Sequence, residues 1–340
     1  MEKKVNWNIT YLRILATLGV VFFHTNAAIS AHPEWFSVSN CQSLFCLFGK
    51  ECMLWAVPVF FMITGYLLLG SEKELSYTIV LKKYVLRIFL ALTIFSLPFA
   101  VLKIYGETHS LSVVSVIKAY IGNESMEHLW YLYPLIGLYL VSPVLKPSLK
   151  KISDSTIVFF LSVVFFFVLL LPMISNVLNV KIAFDVPLKY HLFYFVAGYC
   201  CRILIEKGKV NVKIAAIVMI ASLIPIALFV FSNQSKFLEY SNPFVALMSV
   251  SIFLLVMSLP YTVKNSRLQS VLWKVDRLCF TVYLIHPVFV QIAYRKMRIN
   301  PIDCEVWPLA IVGCFLCFSL LSFLASWFIV KIPVLKKVLL

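Results

Sequence analysis

The sequence predicts an all-α integral membrane protein, a polytopic helical bundle of about ten transmembrane helices with both termini cytoplasmic. Three observations carry that prediction. The chain is 61% hydrophobic and only 13% charged, with a mean hydropathy of +0.93, whereas a soluble domain carries about 25% charged residues. Its apolar residues fall in runs of roughly 17 to 25, the length that crosses a bilayer. Its net charge of +15 comes in blocks that alternate with those runs instead of forming one stripe, so it reads as membrane topology and argues against a nucleic-acid partner.

The first run, 9–29, follows Lys3 and Lys4 and contains Arg13. The second, 52–70, is separated from the third, 85–104, by a segment with Lys73, Lys82 and Lys83, and Arg87 opens the third. Lys146, Lys150 and Lys151 divide the fourth, 129–145, from the fifth, 155–172. The sixth, 190–205, ends with Arg202 and is divided by Lys207 and Lys209 from the seventh, 213–231, which begins with Lys213. Between the eighth, 243–260, and the ninth, 278–294, lie Lys264, Arg267, Lys274 and Arg277. The tenth, 306–330, precedes Lys331, Lys336 and Lys337. The fourth and sixth are short, and a run of about 16 residues also suits a tilted or re-entrant element.

The blocks just named hold more than two-thirds of the 30 Lys and Arg residues. By the positive-inside rule they face the cytoplasm, and the bias would collapse if a middle span were missing. The longest outer connections, near 30–51, 105–128 and 173–189, can form a lid over an outward-facing cavity. A competing reading of the start is a signal peptide, with Ala28, Ser30 and Ala31 as small residues at a cleavage site. No linker or low-complexity tract divides the chain, so residues 1–340 read as one membrane domain, and the short cytoplasmic connections leave no room for a nucleotide-binding domain. Of the nine cysteines, Cys41, Cys46 and Cys52 can form a disulfide near the first outer connection, while Cys314 and Cys317 sit inside a span and read as packing.

Arg13 and His24 are the first residues that suggest chemistry. Eleven helical steps of about 100° come within about 20° of three full turns, so the two share a face, about 16 Å apart along the axis. Ionisable groups at such depth normally face the bundle interior or a wet cavity. The alternative is that Arg13 snorkels to the headgroups and His24 bonds a neighbouring helix. His128 stands at the outer start of the fourth span. His286 lies within the ninth, where Pro287 frees a backbone carbonyl that needs another partner. For both, interhelical hydrogen bonding is the alternative to a site role. His32, His109 and His191 read as solvated, and Glu127 or Glu51 can orient a histidine or simply be solvated acids. No Asp or Glu falls well inside any proposed span, which weakens a proton-coupled exporter or flippase as the second reading. No Gly-x-Ser-x-Gly or His-Glu-x-x-His sequence competes with the histidines.

Five stretches, in order along almost the whole chain, resemble the acyltransferase-3 family of membrane O-acyltransferases. They are YLRILATLGVVFFH, with Arg13 and His24; VPVFFMITGYLLLG; LKKYVLRI; EHLWYLYPLIGLYLVSPVL, with His128; and FTVYLIHPV, with His286. Within that family the chain is similar to the compact bacterial surface-polysaccharide O-acetyltransferases of the enterobacterial-common-antigen type. The third stretch departs from the family pattern, with Lys82 and Lys83 leading where Arg is common. Lysine attracts phosphate as a point charge but makes no bidentate contact. Lys83 and Arg87, four apart, share a helix face, and the alternative for the lysines is ordinary positive-inside anchoring.

The resemblance implies transfer of an acyl group, most simply acetyl, from cytoplasmic acetyl-CoA to a hydroxyl of a cell-surface glycan or its lipid-linked precursor. It further implies a multi-pass protein of the bacterial plasma (inner) membrane that uses no metal. Arg13, Lys82, Lys83 and Arg87 would meet the polyanionic donor. His24, with Arg13, His128 and His286 about it, would serve as general base or as a transient acyl carrier, since an imidazole pKa near 6.5 suits proton transfer at neutral pH.

Overall fold

Asn6 caps the first helix, its side chain accepting the Ile9 amide at 3.3 Å, and α1 then runs over Trp7–Ser30. The computed structural model describes residues 6–36, 40–124, 126–184, 186–260 and 263–340, and among the described residues there is no strand. Lys3 and Lys4 of the charge pattern lie outside the described residues. After α1 come α2 (Cys41–Leu68), α3 (Tyr77–Thr108), the short α4 (Val113–Ile121), α5 (Glu127–Lys151) and α6 (Asp154–Leu178). Then follow α7 (Tyr190–Glu206), α8 (Val212–Phe231), α9 (Pro243–Ser258), α10 (Ser266–Lys296), α11 (Trp307–Ile329) and the short α12 (Pro333–Leu339).

Each of the ten apolar runs is helical. Eight helices among the described residues (α1, α2, α3, α5, α6, α8, α10 and α11) are long and apolar enough to cross a membrane. The other two, α7 and α9, have 17 and 16 residues. The fourth run gains length because a 3₁₀ turn, Glu127–Tyr131, joins its start. The connection 30–51 is not an open lid loop: Asn40–Glu51 is helical and meets Ala56–Leu68 across a turn at 52–55 to complete α2. Likewise 105–128 holds α4, and α6 extends to Leu178. All nine cysteines are free thiols, so no disulfide braces this end. Cys314 packs beside Ile311 and Phe318, whereas Cys317 is exposed.

α7 is short because it is an interior element. Every residue from Phe193 to Cys201 is buried, the pattern of a helix surrounded by protein. Its closest neighbour is α2. A Cβ at Gly65 would stand 1.8 Å from the Phe195 carbonyl oxygen, and one at Gly198 would stand 2.0 Å from that of Met62. Two backbones can approach this closely only where both lack side chains, which is the small-residue packing that membrane helices use.

α1 is the second interior element and touches α2, α9, α10 and α11. Near its start, the Asn8 amide nitrogen lies 2.9, 2.9 and 2.8 Å from the carbonyls of Val256, Met257 and Leu259. It thereby satisfies the end of α9, whose last carbonyls have no intrahelical donor. The outer faces of the bundle are apolar. Ile217, Ile224 and Leu228 of α8 are 65%, 61% and 64% exposed, and Leu309, Leu316 and Leu320 of α11 are 69%, 58% and 61% exposed. Helical faces of this kind, too large for a surface in water, belong in lipid.

Candidate active site

Three helices bring three histidines together. His24 of α1, His128 of the turn that opens α5, and His286 of α10 form a triangle with ring centroids 5.0 Å (24 to 286), 5.5 Å (128 to 286) and 6.1 Å (24 to 128) apart. His286 is fully buried and His128 nearly so, while His24 keeps partial exposure.

Local backbone chemistry sets how two of the rings stand. Pro287 has no N–H and interrupts the amide pattern of α10 within the last turns before Gln291. The carbonyl left short of a helical donor by this proline is that of Tyr283. The His286 Nδ1 supplies one at 2.9 Å and also lies 3.1 Å from the Val282 carbonyl. A carbonyl only accepts, so Nδ1 carries the hydrogen, and in the neutral ring Nε2 holds the lone pair. That Nε2 is buried with no hydrogen-bond partner among the described residues. His128 has the opposite arrangement: Nε2 donates to the Leu284 carbonyl at 3.1 Å, leaving Nδ1 as the lone-pair nitrogen. The Tyr283 hydroxyl donates to the His128 carbonyl and ties the turn to α10. His24 makes no hydrogen bond to a described residue, so both its nitrogens are uncommitted.

Arg13, on the same face of α1, has a different situation. Its Nη1 lies 2.9 and 2.8 Å from the two carboxylate oxygens of Asp276 on α10, to which the Thr10 hydroxyl also reaches at 3.5 Å. Sequence reading missed this acid. It stands just ahead of the apolar run 278–294, but the helix begins at Ser266 and carries Asp276 into the bundle. Glu51 is a second buried acid, 2% exposed and paired with Lys50 at 2.8 Å, whereas Glu127 is exposed.

A cavity of about 860 Å³ opens beside this pair. It is walled by the first third of α1, the start of α3, the ends of α2 and α7, and the middle stretches of α5 and α10, which places the start of α3 and the ends of α2 and α7 at one end of the bundle. Six cations line it (Arg13, Lys73, Lys83, Arg87, Arg202 and Arg277) against the two acids Glu74 and Asp276. A low-dielectric cleft with this excess of positive charge concentrates anions. At its inner end are Tyr131 and Tyr283. The Tyr283 ring lies 5.8 Å from His128 and 6.4 Å from His286, so the cavity reaches the histidine triangle through one aromatic layer.

Of the predicted cationic residues, Arg13, Lys83 and Arg87 line the cavity, and Lys82 is exposed outside it. Arg87 donates from Nε to the Val338 carbonyl at 2.9 Å and from Nη2 to that of Leu339 at 2.7 Å, which makes α12 part of the wall. Lys73, Arg202 and Arg277 enter the site although the sequence offers them only as topology charges. The other histidines separate. His32 stacks on Trp35 and bonds Glu34 at 2.7 Å, holding that carboxyl below its usual range. His109 is exposed. His191 is not solvated, since its Nε2 is buried without a partner among the described residues. No group of His, Cys, Asp or Glu among the described residues is arranged to hold a metal ion.

No curated protein and no solved structure matches the chain. The family model described as an acyltransferase domain, that of the acyltransferase-3 family, matches residues 6–330 and so spans all three histidines and all six cavity cations. A histidine cluster reached from a cationic cavity, inside a helical bundle with lipid-facing sides, is thus housed in a chain that belongs to the acyltransferase-3 family and is a membrane acyltransferase.

Proposed function

We propose that the protein is an O-acetyltransferase of the bacterial plasma membrane, taking acetyl from cytoplasmic acetyl-CoA and placing it on a hydroxyl of a cell-surface glycan or its lipid-linked precursor. The observation that carries this reading is the cationic cavity whose lining includes Tyr283, the ring that stands between it and the histidines. The donor is polyanionic at its nucleotide end and carries the thioester on a long, thin arm, so its charges and its reactive carbon need sites far apart. Lys83, Arg202 and Arg277 suit the phosphates, and the arm would pass Tyr131 and Tyr283 towards His24. The lysine and arginine blocks, at the cavity end of the bundle, support a cytoplasmic setting for that end by the positive-inside rule.

His24 is the reactive imidazole of this proposal, because it alone of the three keeps partial exposure through which a substrate can reach it, whereas His128 and His286 are buried and tethered to backbone carbonyls. One lone-pair nitrogen of His24 takes the proton of the acceptor hydroxyl while its oxygen attacks the thioester carbonyl. The C–O bond forms, the C–S bond breaks, and the thiolate of coenzyme A leaves to receive that proton. If His24 instead attacks the thioester, its N–C bond forms as the C–S bond breaks and the thiolate leaves with the ring proton; the acceptor oxygen then attacks the acetyl carbon, the N–C bond breaks, and the hydroxyl proton returns to the ring.

The test uses native membranes with the wild-type chain, the His24→Ala variant, or neither, supplied with acetyl-CoA labelled in the acetyl group. Label in the surface-glycan fraction is expected with wild type alone, and wild-type transfer is expected to persist in detergent. Equal labelling by both variants would remove His24 from the chemistry, and labelling that needs sealed vesicles would point to export instead.

A further inference from the structure

The turn that delivers His128 also carries Trp130, two residues further on. Trp130 lies 5.0 Å from the Tyr240 ring, inclined at 35°, and 5.8 Å from His191. His191 in turn lies 4.0 Å from Tyr190, inclined at 36°. These four rings come from three places in the chain: the start of α5, the start of α7 and the segment just before α9. All are helix starts, whereas the cavity gathers the end of α7 with the start of α3. The rings therefore sit at the opposite end of α7 from the cations, and next to His128 in sequence.

Two features separate this cluster from ordinary core packing. Trp130, Tyr190, His191 and Tyr240 are each partly exposed, and the three larger rings stand at the edge of the core they pack against. The cluster also contains an unsatisfied polar atom: the buried Nε2 of His191 has no partner among the described residues. Leaving such an atom unpaired is costly, and a ligand hydroxyl would relieve it. Tyr240 is fixed from behind, since the Tyr194 hydroxyl donates to its carbonyl at 2.7 Å. Partly exposed aromatic rings around one unpaired hydrogen-bonding group match a pyranose, which presents flat C–H faces to rings and hydroxyls to polar atoms.

We infer that Trp130, Tyr190, His191 and Tyr240 form the subsite that seats the acceptor's sugar ring beside His24, with the His191 Nε2 hydrogen-bonded to a sugar hydroxyl. This rests on the reading of the acceptor as a glycan. It gives the two substrates separate approaches to one reaction centre, the donor through the cations and the acceptor over the aromatic rings.

The experiment is steady-state transfer by the full-length protein in detergent, with labelled acetyl-CoA and a titrated surface-glycan fraction from the producing cells. Trp130→Ala and His191→Ala are expected to raise the acceptor KM about tenfold, the effect of one lost hydrogen bond or ring contact. The donor KM should shift less than about twofold on the same scale. His191→Gln, which keeps a hydrogen-bonding group, and Trp130→Phe, which keeps a ring, should recover most of the loss and control for misfolding. An unchanged acceptor KM in folded Trp130→Ala and His191→Ala, with wild type active, overturns the subsite alone. If wild type labels no glycan at any concentration, the glycan reading fails and the subsite falls with it.

Discussion

The pair of helices α1 and α10 meets twice, and the two meetings are opposites. At the cavity end, Arg13 and Asp276 close on each other at 2.8 Å, with the Thr10 hydroxyl as a further partner. Further along, His24 and His286 approach to 5.0 Å between ring centroids, yet neither bonds the other, and the His286 Nε2 is buried without a partner. The same two backbones thus hold one polar contact that is complete and one that is left open. The complete contact fixes the register of the helices; the open one is where a reacting molecule supplies what is missing. A buried ion pair adds little net stability but strongly disfavours misalignment, because separating it strands a charge.

Breaking each contact should therefore fail in a different way. The largest effect is expected at the open one: His24→Ala should lower acyl transfer by about a thousandfold or more while leaving the melting temperature within a few degrees. A matching loss of stability would mean that the ring is a packing element. At the closed contact, Asp276→Ala should lower stability by about 1–3 kcal/mol, less than a fully buried pair because the Arg13 side chain is 32% exposed. Activity should fall about tenfold with it, as the histidines lose their register. The exchange Arg13→Asp with Asp276→Arg sharpens the comparison. Recovery of stability without recovery of donor KM would show that Arg13 also meets the donor, and recovery of both would confine it to the pair.

Smaller effects belong to groups that support one contact only. Tyr283→Phe removes the hydroxyl that ties the His128 carbonyl to α10, and a severalfold loss of kcat with an unchanged donor KM is expected. The smallest effect lies outside the bundle core, where the exposed Glu72 accepts from Lys150 at 2.9 Å and has its carboxyl held below the usual range by that contact. A depressed carboxylate stabilises the fold above its unfolded pKa and loses that contribution as pH falls through the folded value. Lys150→Ala should thus change activity less than about twofold at pH 7, and any stability difference from wild type should vanish in acid, as thermal melts across pH would show.

Much of this was legible in the chain, and the exceptions share a cause. The shared face of Arg13 and His24 follows from their spacing alone, and the freed carbonyl before Pro287 follows from the proline. Asp276 was not legible, because hydropathy marks where the apolar run begins and not where the helix does. Nor were Arg202 and Arg277, whose charges serve topology in sequence and a cavity wall in three dimensions. Lys50 and Glu51 made a helical segment look like a loop, since charged residues that pair with each other inside a bundle resemble those that face water. The meeting of His24, His128 and His286 joins segments more than a hundred residues apart, and no local periodicity encodes it.

The crossing of α2 and α7 at Gly65 and Gly198 has a mechanical consequence. A joint made of main chain against main chain has no side-chain rotors to reorganise, so it behaves as a rivet: the two helices can neither slide nor roll without a backbone collision. Phe61, one turn before Gly65, bears on Tyr131 at 4.5 Å and on His191 at 5.3 Å. The turn carrying His128 and the ring carrying the unpaired nitrogen thus hang from the stiffest point of the bundle. Substituting either glycine is therefore expected to disturb the histidine turn and His191 together, because any added side chain meets the facing main chain.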